Sequence, residues 1–432
     1  MRRKRLLVLV SCIFVATIGF GITLPVLPFY AERLALASQR GSPSGWANAT
    51  VQVGLLTAIY PLLQLLVAPL WGRLSDTLGR RRLLLIGIAG AAASYVLFAM
   101  ADTLATLYVA RGLGGLLSSA IFPASTAYVA DSTTEAQRAR GMAWLGAASS
   151  LGAVLGPALG GAFARTGWEL RATSGALLVS SFAIPFLVAA VLALVAMLGV
   201  LVWLPESRPA SDAVGALDQP LAAGPSSLLG LLALSLAAQF GLALFETSFA
   251  LFAKQMWRYG PAEVGAAFMV CGLVMSVAQL GVASSAAARV GPWPQIALGF
   301  GLVGASLAVL VSSQSTLRVL AMVGTLAIGI ALVSPNVATL VSLRGGSRVG
   351  AALGSQTTAN GIGQAAGAAL GGILLAWNMD APFLLAASLF VGVAAWIGGW
   401  RWRVRVPRSP VTVSPPREPE RTGRERPVER RP

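Results

Sequence analysis

The sequence predicts an all-α polytopic membrane protein: twelve transmembrane helices in two six-helix bundles related by a pseudo-two-fold repeat. Three observations predict it. Apolar residues make up 56% of the 432 positions and charged residues only 11%, with a positive mean hydropathy, far from the balance of soluble chains. The apolar residues gather into twelve runs, each near the roughly 20 residues that cross a hydrocarbon core. Shifting the sequence by 211 residues brings Val53-Gly54 onto Val264-Gly265. The same shift brings Gly152, Gly156, Gly160 and Gly161 onto Gly363, Gly367, Gly371 and Gly372. Such a parallel repeat fits two bundles related by an axis along the membrane normal.

The runs cover about 6–31, 50–72, 83–101, 104–128, 141–163, 181–204, 228–253, 261–287, 294–313, 316–343, 350–376 and 381–400. Met1-Arg2-Arg3-Lys4-Arg5 before the first run mimics a secretory leader, but the run continues to about Ala31 and contains Pro25 and Pro28, so a retained span is expected. The second and third runs are separated by Gly72-Arg73-Leu74-Ser75-Asp76-Thr77-Leu78-Gly79-Arg80-Arg81-Arg82, a charged hinge whose glycines allow a sharp reversal. Pro25, Pro28, Pro123 and Pro335 predict bends in the first, fourth and tenth spans. Four parts follow: an N-terminal bundle (1–204), a polar Ala/Gly/Pro-rich linker (205–227), a C-terminal bundle (228–400) and a tail (401–432). The tail holds ten arginines and four glutamates among many prolines and is expected to be disordered.

The formal charge of +16 invites a nucleic-acid reading, but no nucleic-acid motif accompanies it and the charge is sided. With the N-terminus placed in the cytoplasm, fourteen Arg and Lys residues before the tail fall on that side and seven fall outside, so both termini are expected to be cytoplasmic. The chain has no histidine, which leaves any proton relay to carboxylates. Its two cysteines, Cys12 and Cys271, fall inside spans, so neither a His/Cys metal site nor a disulfide framework is expected.

The hinge resembles the signature loop between the second and third spans of major facilitator superfamily transporters, where glycine, aspartate, glycine and paired basic residues recur in this order. The resemblance implies a conformational lock made of Gly72, Asp76, Gly79, Arg80 and Asp131. Asp76 would meet the start of the eleventh helix near Gly350 and hold the two halves outward-open, and Arg80 would pair with Asp131 at the end of the fourth span. The plainer reading is that these residues only cap helices and fix topology. In the second half Ala287 or Ala288 replaces the aspartate, leaving Arg289 and Gly291, so one lock is expected rather than two. Leu204-Pro205-Glu206-Ser207 likewise resembles the family's exit from its first half.

Arg111 lies about 10 Å inside the fourth helix at 1.5 Å per residue. A cation at that depth usually faces a bundle interior or a wet cavity and has a partner; otherwise it snorkels or braces the bundle. It resembles the arginine that the family associates with proton coupling. Glu246 is the one carboxylate well inside an expected span. We expect it to approach Arg111 across the cavity, with substrate and proton competing for it; a structural polar contact is the alternative. Gly152, Gly156, Pro157, Gly160 and Gly161 place small residues every four positions along the fifth span, where helices approach closely. With the Gly-Pro step they resemble the family's antiporter motif, which favours export. Candidate cavity residues are Gln64, Gln239, Asn336, Gln356 and Asn360, with Gln279 and Gln364, although each can equally join helices.

The expected function is therefore export of hydrophobic or cationic small molecules by proton antiport, from the bacterial inner membrane, by a monomer that uses a proton gradient and no cofactor. No G-x-x-x-x-G-K-[ST] loop supplies a nucleotide site. The first span, Ile18 to Pro25, has no acid, which places the coupling on Glu246 or removes it. The alternatives are a metabolite carrier and a non-transporting scaffold of the same fold. An enzyme is disfavoured because no catalytic constellation is evident.

Overall fold

The computed structural model describes residues 3–38, 45–133, 135–164, 170–171, 177–179, 181–206, 228–282, 290–345 and 349–403. Among them are twelve helical segments long and apolar enough to cross a membrane: Arg3–Ser38, Gly45–Leu78, Arg80–Ala99, Leu104–Ser132, Glu135–Ala164, Ile184–Trp203, Leu228–Trp257, Pro261–Val282, Pro292–Val311, Thr316–Gly345, Val349–Trp377 and Ala381–Arg403. Helices are the natural solution here, because in lipid each backbone N–H and C=O must be satisfied within its own segment.

The pseudo-two-fold repeat is visible in the contacts between the halves. The second span packs on the eleventh and the fifth on the eighth. A Cβ placed on Gly54 would lie 2.8 Å from the Cα of Gly372, and one placed on Gly265 would lie 3.0 Å from the Cα of Gly161. The repeat carries Gly54 onto Gly265 and Gly161 onto Gly372, so these are two copies of one contact. A side chain at any of the four positions would drive the halves apart. The turns repeat as well: Gly79 before the third span has φ +91° and Gly291 before the ninth has φ +78°, a left-handed backbone that suits glycine.

The contacts are one-sided. They gather at the bundle end that holds Gly54, Gly161, Gly265 and Gly372, whereas a Cβ on Gly350 or Gly354, near the hinge end of the eleventh span, would meet nothing within 4 Å. Leu66 and Leu70 of the second span are correspondingly exposed. Among the described residues, the two halves are closed at one end and splayed at the hinge end.

Several elements differ from the sequence expectation. The first helix runs to Ser38 rather than about 31, through Pro25 and Pro28. The second continues through the hinge to Leu78, so the reversal is confined to Gly79. The fourth span is not one helix: it breaks into a 3-10 turn at Ser118–Ala120, just before Pro123, whose ring removes a backbone donor. Ser118 Oγ donates to Gly114 O at 2.5 Å and Ser119 Oγ to Leu116 O at 3.2 Å, satisfying carbonyls at the break. A two-stranded antiparallel ribbon, Leu170–Arg171 with Leu177–Val179, departs from a purely helical chain between the fifth and sixth spans. The eighth helix is described from Pro261 to Val282, so the rest of its expected run to about 287 lies outside the described residues. Ala287, Ala288 and Arg289, and nearly all of the linker and tail, lie outside the described residues.

Candidate functional site

At the hinge, Arg80 Nε donates to Asp131 Oδ2 at 3.0 Å, with side chains only 9% and 16% exposed. The neighbouring Arg81 ties the hinge to the end of the sixth span. Its backbone N–H donates to Glu206 Oε1 at 3.0 Å, and its guanidinium donates to Leu201 O at 2.7 Å. Glu206 thus caps the positive end of the third helix from 125 residues away. Its position in the exit motif is the sequence signal that could have identified it. The side chains of Arg73, Ser75 and Asp76 lie outside the described residues, although their backbone, like that of Gly72, is helical. Asp131→Asn keeps the shape and removes the charge. It is expected to cost about 2 kcal/mol, between the values typical of exposed and buried pairs, and to appear as a lower unfolding temperature in detergent.

Arg111 is 4% exposed. Its Nη1 donates to Thr23 Oγ1 at 3.2 Å, while the guanidinium carbon sits 4.9 Å from the Tyr60 ring centre and 5.9 Å from that of Phe20. A guanidinium has five N–H donors, and Nε here is buried without a partner. The group borders a cavity of about 20 Å³ formed with Gly19, Thr23, Tyr60, Ser94 and Tyr95. First-half aromatic faces and one hydroxyl therefore hold a cation that lacks a full set of hydrogen bonds.

Glu246 projects from the seventh span of the other half. It is half-buried, between the buried Phe245 and Thr247. The two charges lie within electrostatic reach of each other, but no direct hydrogen bond or ion pair joins them. The expected approach is thus a facing arrangement across the bundle rather than a closed pair. Thr247 Oγ1, the next residue, is also buried and unpartnered.

The glycines of the fifth span form a seam with the first. Cβ atoms on Gly152, Gly156 and Gly160 would lie 3.0 Å from Ile18 N, 2.7 Å from Gly21 Cα and 2.9 Å from Ile22 O, while Gly161 turns toward the eighth span. Spacing by four residues puts three of these positions on one face, and backbone meets backbone along it. Pro157 lies within this helix, which continues unbroken from Glu135 to Ala164.

The polar candidates divide. Gln239, Gln356 and Asn360 line one cavity of about 220 Å³ in the second half, where Gln356 Nε2 donates to Ser235 Oγ at 3.0 Å and Gln239 Oε1 is buried without a partner. Asn336 is not among them: its amide donates to Gln295 Oε1 at 3.1 Å and Leu332 O at 2.7 Å, joining the ninth and tenth spans. Gln64 is half-buried on the second span and Gln279 is exposed on the eighth.

One acid was missed. The apolar run stops at Ala31, so Glu32 reads as a loop residue, yet the helix continues and buries it to 3% exposure. Lys254 Nζ, on the seventh span, donates to Glu32 Oε2 at 2.6 Å and so links the two halves. The only sequence signal was a carboxylate one residue beyond the expected end of the span.

Comparison with known proteins agrees with this architecture. The Major Facilitator Superfamily model matches residues 9–348. Multidrug resistance protein 2 of Bacillus subtilis (strain 168) is 28% identical over 396 residues, 89% of this chain and 92% of that protein. Tetracycline resistance protein, class B, of Escherichia coli is 31% identical over 289 residues, 65% of this chain and 66% of that protein. The crystal structure of a D-xylose-proton symporter has the same fold, with a TM-score of 0.73 at 17% identity over 91% of this chain and 96% of that one. Twelve spans, a repeated glycine contact, a glycine hinge and a family match over most of its length lead to one conclusion: the chain belongs to the Major Facilitator Superfamily.

Proposed function

We propose that this protein is a secondary active transporter of the drug:proton antiporter type, exporting hydrophobic or cationic small molecules by alternating access as protons move inward. The observation that carries the reading is the arrangement of Arg111 and Glu246: opposite charges from the two halves, within electrostatic reach but unbonded, inside a bundle open at one end. A carboxylate so placed can exchange a proton for a cationic or hydrogen-bonding cargo. Its relatives in Bacillus subtilis and Escherichia coli are named for multidrug and tetracycline resistance, which supports efflux over uptake.

The sided distribution of arginines supports a cell-membrane orientation with the hinge end and both termini in the cytoplasm. On that placement the structure is inward-open. The chain acts as a monomer without a cofactor or nucleic-acid partner, draws on the proton gradient and carries out no covalent chemistry. The division into bundles 1–204 and 228–400, with a linker between, supplies the two rocking bodies. Asp76 is assigned the lock that favours the outward-open state. Asp76→Asn is therefore expected to slow turnover several-fold with cargo affinity retained, measured as initial efflux rate against concentration; an unchanged rate removes the lock.

Growth of expressing cells against a panel of antibiotics and dyes tests the export reading. Resistance to lipophilic cations is expected. Unchanged sensitivity across the panel, with the protein present in the membrane, contradicts it.

A further inference from the structure

The Glu32–Lys254 pair has no place in the proton and cargo steps above, yet it joins the two halves. Glu32 stands near the end of the first span and Lys254 near the end of the seventh, at the closed end of the bundle. The repeat that aligns Phe20-Gly21 with Phe240-Gly241 sets Glu32 opposite Phe252 and Lys254 opposite Leu34. The pair is therefore an addition to the repeated glycine contacts and has no symmetric copy. The glycine contacts at this end are van der Waals seams, which hold at short range without directional preference. An ion pair at 2.6 Å adds a charge-assisted bond that exists only while this end is shut.

We infer that Glu32–Lys254 is the latch of the closed end, and that opening this end to the outside requires the pair to break. Glu32 thereby becomes a positioning residue of the transport cycle, acting through the geometry of the two halves rather than on cargo. The side it occupies rests on the proposed orientation; the latch itself does not depend on drug export.

The unequal burial of the partners gives the inference a signature. Glu32 is 3% exposed, whereas the Lys254 side chain is 41% exposed. Removing the lysine leaves a carboxylate buried without its cation for as long as the end is shut, and opening relieves this by hydration. Removing the carboxylate leaves an ammonium that already reaches water. Lys254→Gln is therefore expected to favour opening more strongly than Glu32→Gln. Ranking by volume lost would give the same order, since glutamine is smaller than lysine but matches glutamate, so recovery in the charge exchange is what separates an ion pair from a contact that merely packs.

The test is a distance measurement across the closed end of the full-length protein. Spin labels go at Met100→Cys and Leu317→Cys, both exposed and in opposite halves, in a background with Cys12→Ala and Cys271→Ala. In wild-type background one short distance should dominate. Lys254→Gln should raise the ratio of open to closed about tenfold and Glu32→Gln by less; the charge exchange Glu32→Lys with Lys254→Glu should restore part of the closed population. Arg33→Gln, which removes an exposed neighbouring charge, should change nothing. Distances unchanged in both single variants, or single variants shifted with no recovery in the exchange, overturn the latch. Because Lys254 is the more exposed partner, Lys254→Gln keeps the test decisive even if a Glu32 variant does not fold. Opening without transport of any compound would sink the export reading and leave the latch standing.

Discussion

Replacing Glu246 with glutamine is expected to reduce pH-driven accumulation of cargo by about tenfold or more, while facilitated movement down the cargo's own gradient persists. The amide has the size of the carboxyl group but cannot carry a proton through the cycle. In the facing half, Arg111 is held by one hydroxyl and two aromatic rings and has no closer anion among the described residues. Glu246 is thus the carboxylate placed to respond to that cation. Glu246→Asp should keep part of the coupling, since it shortens the reach without removing the titratable group. Initial rates at several imposed pH gradients separate the outcomes: a glutamine variant with an unchanged gradient dependence removes Glu246 from the coupling step.

The second large effect is structural. Gly156→Leu is expected to destabilise the first bundle by about 3 kcal/mol or more, because overpacking typically costs 1–3 kcal/mol and here neither obstacle is a side chain that can rotate away. A Cβ at this position would lie 2.7 Å from both Gly21 Cα and Ile18 O. The first and fifth helices must separate along the whole seam before a leucine fits, which also undoes the contacts of Gly152 and Gly160. Gly146→Leu on the same helix is the control, since a Cβ there meets nothing within 4 Å. A large drop in unfolding temperature for the first variant and little change for the second is expected; equal shifts would mean that the seam is not tightly packed.

The spans and the repeat were legible because lipid imposes a uniform rule: long apolar runs form helices, and glycines recur where two helices touch in both halves. Gly79 and Gly291 were legible for a related reason, since a sharp reversal needs a backbone that only glycine adopts freely. Side-chain partners were harder. Gln239 and Asn336 look alike in sequence, but which face of a helix meets a cavity depends on neighbours far along the chain, and Asn336 turned out to bind Gln295. Glu32 was hidden because hydropathy marks the end of an apolar run, not the end of a helix, and its counter-charge lies 222 residues away. Arg111 was visible from its depth alone. Its lack of a direct anionic partner was not, because that depends on how far apart the halves stand.

The central claim, proton-driven export, is tested most directly in proteoliposomes that contain the purified full-length protein and a fluorescent lipophilic cation. An acidic lumen is imposed, and molecules whose hinge end faces outward report the export direction. The cation should accumulate inside as protons leave, accumulation should collapse when an ionophore dissipates the gradient, and Glu246→Gln should accumulate little. Accumulation that is absent, or that survives dissipation of the gradient, contradicts the account.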